Sequence, residues 1–456
     1  MTLFKSIILI PIIFQVIFAQ DDPLEQYVQI GLESNLALKQ QEFSLEQSLQ
    51  VLNEARGKYF PSIDIIARYS RAGGGREITI PIGDLVNPIY QTLNQLLEAQ
   101  GYPPAFPEDI PNETIPFIRE KEHDTRIRLV QPIFQPAIWS NYGLKSDLNE
   151  IEELRTRMYK RHLIYEIKRA YYNYLKATQV VDLYRRIMEL QSENLRVSKK
   201  LFSAGKATQD VVFRAEAELS RTEQEKINVE NLQRQGRSYL NFILNRPLET
   251  EIIKTEKQSV QDPTVFDYES AKQHAFMSRE ELNQIKQAIS ATSNSAEIVR
   301  SKFFPGVNAV LDYGYQGVEY NFGKDNDFWM ASVVLQWNLF RGFQDKAKLE
   351  QVYLEKKKLS AKEEEIKNQI ELEVERIFDN LSVARKTIDV ARKQVESAQA
   401  SFKIVRKKYE EGVSAQIEYL DAQTTLTNAA INEVISEYDY YITYADFERI
   451  IALYEF

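Results

Sequence analysis

Two hydrophobic periods alternate along this chain, and the alternation happens twice. Over residues 23–56, Leu32, Leu36, Leu45, Leu49 and Leu52 recur among polar residues as in a helix, and Pro61 closes the segment. The period then falls to two. Ile63, Ile65, Ala67 and Tyr69 alternate with Ser62, Asp64, Ile66, Arg68 and Ser70, which predicts a strand with one apolar and one mostly polar face. A second strand places Ile127 and Leu129 opposite Arg126 and Arg128, with Pro132 and Pro136 expected to end it. Residues 137–204 read as one uninterrupted helix, Gly205 breaks it, and a return helix covers about 209–244.

The order then repeats. A helix over 267–300 precedes a strand with Val307, Ala309, Leu311, Tyr313 and Tyr315 on one face, and another with Trp329, Ala331, Val333, Leu335 and Trp337. A helix over 342–411, a turn at Gly412 and a last helix follow. The repetition is literal in places. Arg56-Gly57-Lys58-Tyr59-Phe60-Pro61 recurs 244 residues later as Arg300-Ser301-Lys302-Phe303-Phe304-Pro305. Gly205, Gln209, Ala215 and Leu219 recur 207 residues later as Gly412, Gln416, Ala422 and Leu426. The offsets differ by 37 residues, the size of an insertion in the first copy. Residues 72–122 hold it. With Gly73-Gly74-Gly75 and seven prolines they read as a long loop with one short helix near Leu85–Ala99. No Lys-Ser/Thr follows the glycines, so they read as a flexible segment rather than a phosphate cradle.

The long helices carry a heptad seam. Ile377, Leu381, Ala384, Ile388, Ala391, Val395, Ala398, Phe402, Val405 and Tyr409 step by four and three without interruption. Seventy residues of helix extend ~105 Å, too long for a globular domain. The 34 residues of 23–56 and the 36 of 209–244 together match that length, so two shorter helices stacked end to end are expected beside each long one.

Composition narrows the class. The absence of Cys excludes disulfides, thiol chemistry and a lipidated N-terminal Cys, and His123, His162 and His274 lie far apart in sequence. No nucleophile–base pair, metal cluster or phosphate loop is found, so no enzyme, cofactor, metal site or nucleic-acid partner is expected. Lys5, the apolar run from Ile7 to Phe18 and Ala19 read as a secretory signal over residues 1–19. Its removal takes the net charge from −9 to −10. The expected organisation is therefore a signal peptide (1–19), a first repeat (20–244), a linker (245–266) and a second repeat (267–456). An exported chain with four two-faced strands of about ten residues suits a membrane barrel, whose tilted strands need ~9–11 residues. Tyr69, Tyr313, Tyr315, Trp329 and Trp337 near the strand ends suit its interfacial girdles. Four strands cannot close a barrel alone; a dimer supplies eight and a trimer twelve. The alternatives are hairpins packed on the helices, and a periplasmic coiled-coil scaffold or chaperone without a pore.

The segment from Tyr409 to Asn428, with Gly412, Gln416, Leu420, Asp421, Ala422 and Leu426, resembles the outer-membrane efflux protein family, the TolC-like channels. Leu201–Val211 around Gly205 and the Phe-Pro strand starts add to the resemblance, which covers nearly the whole mature chain. It implies a mainly α fold with a small membrane β part: a homotrimer sharing one 12-stranded barrel in outer-membrane lipid, continued by a coiled-coil tunnel in the periplasm of a Gram-negative bacterium. It implies an exit duct of a tripartite efflux or type I secretion system, served by a periplasmic adaptor and an inner-membrane pump. In the family two acidic residues one turn apart line the pore constriction, and they fall on Glu418 and Asp421. The tip latch and adaptor-docking turns fall on Tyr409, Gly412, Ser414, Gly205 and Asp210. Two positions depart from the family: Ser414 stands where a basic residue is usual, and the acidic Asp210 is five rather than six residues after Gly205.

Overall fold

The structure, a computed structural model, describes residues 22–254, 267–454 and 456; the expected signal peptide and residues 255–266 of the expected linker lie outside them. The elements run α1 (Pro23–Ser34), α2 (Leu36–Gly57), β1 (Ser62–Arg71), β2 (Glu77–Ile80), α3 (Ile82–Ala99), β3 (Glu113–Pro116), β4 (Lys121–Phe134), α4 (Pro136–Ser203), α5 (Gln209–Ile243), α6 (Tyr268–Ser278), α7 (Glu280–Ser301), β5 (Gly306–Gly317), β6 (Asp327–Gln336), α8 (Gln344–Glu410) and α9 (Gln416–Ile450). They divide into a helical unit, up to Val51 with Lys145–Ser293 and Leu354–Phe456, and a second unit, Leu52–Leu144 with Asn294–Tyr353, that holds the strands. Among the described residues no helix is long and apolar enough to cross a membrane.

In the helical unit, the helix expected over 23–56 is two helices. Asn35 is extended (φ −64°, ψ 121°) and separates α1 from α2. Its repeat equivalent, Arg279, is extended in the same way (φ −72°, ψ 123°) and separates α6 from α7. Asn35 works on both sides of the break. Its Oδ1 accepts from the Leu38 amide at 2.9 Å, capping the start of α2, and its Nδ2 donates to the Ile243 carbonyl at 2.8 Å, at the end of α5. Arg279 makes the same break with other chemistry, its guanidinium hydrogen-bonded to Glu281 and Glu373. Helix α2 therefore starts where α5 ends. The stack that runs on from α5 is 35 and 22 residues long, not the expected 36 and 34, because α1 lies beyond the break. Asn35→Ala removes both bonds and is expected to cost about 1–2 kcal/mol. Thermal melting followed by circular dichroism checks this; a midpoint lowered by a few degrees is the expected result.

The duplication extends to the helix ends. Asn245 and Ala452, 207 residues apart, are both left-handed (φ 50° and 59°). The Arg246 and Leu453 amides reach back to the Asn241 and Glu448 carbonyls, each at 2.9 Å, which is the Schellman arrangement. The core of this unit is aliphatic and tyrosine-rich: Ile167, Tyr171, Leu240, Leu244, Ile370, Val374, Tyr440 and Ile451 are fully buried. Tyr172 and Tyr441 stack at 5.3 Å within it, and burial, then the nearby Glu437, pushes the Tyr441 hydroxyl up to about 12. All ten positions of the α8 seam are buried or half-buried.

In the second unit, four strands form one antiparallel sheet in the order β1-β4-β5-β6, leaving β1 and β6 as edges. Register aligns Ile65, Ile127, Tyr313 and Trp329 in one row across the sheet. All four are exposed, Ile65 to 76%. The adjacent row, Asp64, Arg128, Asp312 and Met330, faces the other way and includes the charged residues. There Asp312 is fully buried and receives a bidentate bond from Arg128, Nε to Oδ1 and a second guanidinium nitrogen to Oδ2, both at 2.8 Å. Arg126 lies 3.8 Å from Asp312 and 3.5 Å from Asp124. Gly314, paired with Arg126, leaves room for it: a Cβ there would sit 2.4 Å from the Thr125 carbonyl oxygen.

Three expectations are corrected here. Pro132 does not end β4; the strand passes through it with a register shift between Pro132 and Phe134, since an irregularity tolerates a residue without an N–H. Trp337 lies just past β6, its indole donating to the Phe303 carbonyl at 3.1 Å. Residues 72–122 are more than a loop with a short helix: β2 and β3 pair as a hairpin and α3 is 18 residues long.

Candidate functional site

The two interhelical turns are built alike. Gly205 (φ 67°) and Gly412 (φ 75°) occupy the left-handed region that closes each long helix. The Lys206 and Val413 amides return to the Leu201 and Lys408 carbonyls, both at 2.8 Å.

Around Gly412 the side chains bond mostly within their own hairpin. Tyr409 stacks on Tyr419 at 5.0 Å, and Phe402 meets the same ring at 5.5 Å. Burial pushes the Tyr419 hydroxyl above its ordinary range, with Arg406 pulling the other way. Arg406 bonds Glu410 at 2.8 Å. The Ser414 hydroxyl bonds the Glu418 carboxylate, so a neutral hydroxyl occupies the position where the family usually has a basic residue. Glu418 and Asp421 are both exposed, and their spacing of three puts them on one helix face. Among the described residues no three His, Asp or Glu side chains converge, so a multivalent cation at this pair would need carboxylates from several copies.

Around Gly205, Asp210 is held by the Thr208 hydroxyl and lies 3.6 Å from Arg214, both in its own segment. The bond that joins the two turns comes from Gln416, whose Nε2 donates to the Val211 carbonyl at 2.9 Å and lies 3.5 Å from the Ser198 hydroxyl. The repeated Gln209 and Gln416 were the signal for this contact, but repetition alone gave it no role.

Sequence periodicity also missed a polar seam between α4 and α9. The helices run antiparallel, with Lys176 against Asp439, Gln179 against Tyr438 and Ser198 against Gln416. Away from the turns this interface is aromatic. Toward them, Gln191, Asn194, Ser198, Gln416 and Gln423 are all buried. Gln191 Oε1, Asn194 Nδ2, Gln416 Oε1 and both amide atoms of Gln423 are buried without a hydrogen-bond partner. Each such atom costs ~1–3 kcal/mol, so the contact is weakly held where the turns meet.

Residues 272–452 match the family described as Outer membrane efflux protein. Over 340 residues, 72% of this chain and 70% of the relative, the chain is 22% identical to the alkaline protease secretion protein AprF of Pseudomonas aeruginosa. It is 20% identical to the outer membrane protein TolC of Salmonella enteritidis over 441 residues, 93% and 80% of the two chains. Its fold is that of the CmeC outer membrane channel of Campylobacter jejuni, with a TM-score of 0.78 over 94% of this chain and 85% of that one at 14% identity. The second repeat thus matches the outer membrane efflux protein family, and the whole described chain is similar in fold to outer membrane channels of known structure.

Proposed function

We propose that this chain is an outer-membrane exit duct of a tripartite efflux or type I secretion system, lying in the outer membrane of a Gram-negative bacterium with most of its mass in the periplasm. The observation that carries this reading is the sheet. It has an apolar exposed face, a charged opposite face and two open edges, which lipid does not tolerate unless other copies pair with them. Three copies supply twelve strands, and their helices supply the tunnel. The protein acts as a conduit, with energy from an inner-membrane pump and a periplasmic adaptor docked at the Gly205 and Gly412 turns. Glu418 and Asp421 from three copies form the constriction, and Tyr409, Ser414 and Asp210 stabilise the turns that surround it.

Opening moves the α8–α9 pair away from α4–α5 at the turns, along the polar α4–α9 seam and across the bonds that Gln416 makes to Val211 and Ser198. Asn194→Leu with Gln423→Leu replaces unpartnered amides by apolar groups and is expected to hold the seam closed. The single-channel open probability should fall severalfold while the open conductance stays the same. Fractionation tests the function itself. Recovery in the outer membrane, with release only by detergent, is expected; recovery as a soluble periplasmic protein would favour a scaffold without a pore.

A further inference from the structure

The insertion between β1 and β4 has no part in the export reading, yet it is built in detail. One face of α3 is tied to the return segment 102–112. Asn94 Oδ1 accepts from the Ala105 and Phe106 amides at 3.1 and 3.0 Å, and its Nδ2 donates to the Phe106 carbonyl at 2.9 Å. Asn87 brackets Ile110 in the same way, at 2.8 and 3.0 Å, and Tyr90 stacks on Phe106 at 5.2 Å. These bonds fix which face of the helix looks outward.

That outward face is a seam. Ile82, Leu85, Ile89, Thr92, Leu96 and Ala99 step by three and four throughout, the a and d spacing of a coiled coil. Leu85, Ile89 and Leu96 are 67%, 58% and 56% exposed. The Thr92 hydroxyl bonds back to the Pro88 carbonyl at 2.8 Å and leaves its methyl to the seam.

Charge selects the occupant. Helices that lie on membranes carry Lys and Arg on their polar face. Helix α3 has Asp84 and Glu98 and no basic residue, and residues 72–122 hold three basic and eight acidic side chains, a net charge of −5. An anionic lipid surface repels such a segment. Position points to another copy: the insertion leaves and rejoins the sheet at the paired Arg71 and Lys121, and β1 is an edge strand. We propose that the α3 seam is an interface between copies of this chain, the α3 helices of neighbouring protomers packing on one another through Leu85, Ile89 and Leu96. This rests on the oligomeric duct proposed above.

The chain has no cysteine, so single introduced thiols report the contact directly. Ile89→Cys and Leu85→Cys lie on the seam; Gln91→Cys is exposed but off it. In full-length protein purified in detergent, mild oxidation should give at least tenfold more covalent dimer from the seam positions than from position 91. No excess in a sample whose light-scattering mass is three chains overturns the seam and leaves the trimer. A one-chain mass overturns both. A bimane label at position 89 quenched by doxyl lipids in proteoliposomes overturns the seam in favour of lipid.

Discussion

Asp312→Ala is expected to weaken the assembled protein more than any other single side-chain truncation in the sheet. Asp312 is fully buried and accepts both bonds of the Arg128 fork, with Arg126 at 3.8 Å. Its removal leaves two guanidinium groups on a largely shielded face with only Asp124, one of whose oxygens already lacks a hydrogen-bond partner. Removing one member of a paired charge leaves the other without its partner; Arg128 is 32% exposed, so water takes up part of its charge and the loss is smaller than for a fully buried pair. The oligomer should dissociate at a clearly lower temperature on semi-native gels, and Asp312→Asn, which keeps an acceptor, should recover part of the loss. An unchanged dissociation temperature would mean that the arginines find other partners.

Glu418→Ala with Asp421→Ala should change conduction without changing assembly, because both side chains are exposed. In a three-fold constriction they contribute six negative charges. One unit charge at ~8 Å in water is worth ~0.5 kcal/mol to a passing monovalent ion. Six such charges give ~3 kcal/mol before salt screening, and 1.4 kcal/mol is a factor of ten. Screening over about one Debye length leaves roughly 1 kcal/mol, of opposite sign for potassium and chloride, so their permeability ratio is expected to fall at least tenfold in the double variant, and block by trivalent cations to weaken with it. Unchanged selectivity would place the constriction elsewhere.

Much of this architecture was legible because two physical periods could not be confused. Helical spacing in 137–204 and 342–411 and near-alternation in 62–70 and 306–315, broken only by Ile66 and Val310, each fix an element, and the 244 and 207 offsets reveal the duplication even where the residues differ. The breaks at Asn35 and Arg279 were not legible. Both are ordinary helix residues locally, and what extends the backbone there is tertiary: the Ile243 carbonyl for Asn35, and Glu373 for Arg279. The insertion misleads for the opposite reason: its prolines point to a loop, although Pro81 only precedes α3 and Pro88 lies inside a helix that tolerates it. At the turns, sequence pointed to Tyr409, Ser414 and Asp210 by resemblance. The bond between the halves comes from Gln416, and the polar seam of Gln191, Asn194 and Gln423 is visible only once α4 and α9 lie side by side.

If copies of this chain enclose one continuous water-filled path through a membrane, single-channel recording in planar bilayers with the detergent-purified full chain will reveal it. Discrete conductance steps are expected, cation-selective and suppressed by trivalent cations added on the side of the Gly412 turns. A protein that is trimeric, inserted in the bilayer and electrically silent under every adaptor and voltage condition would contradict it.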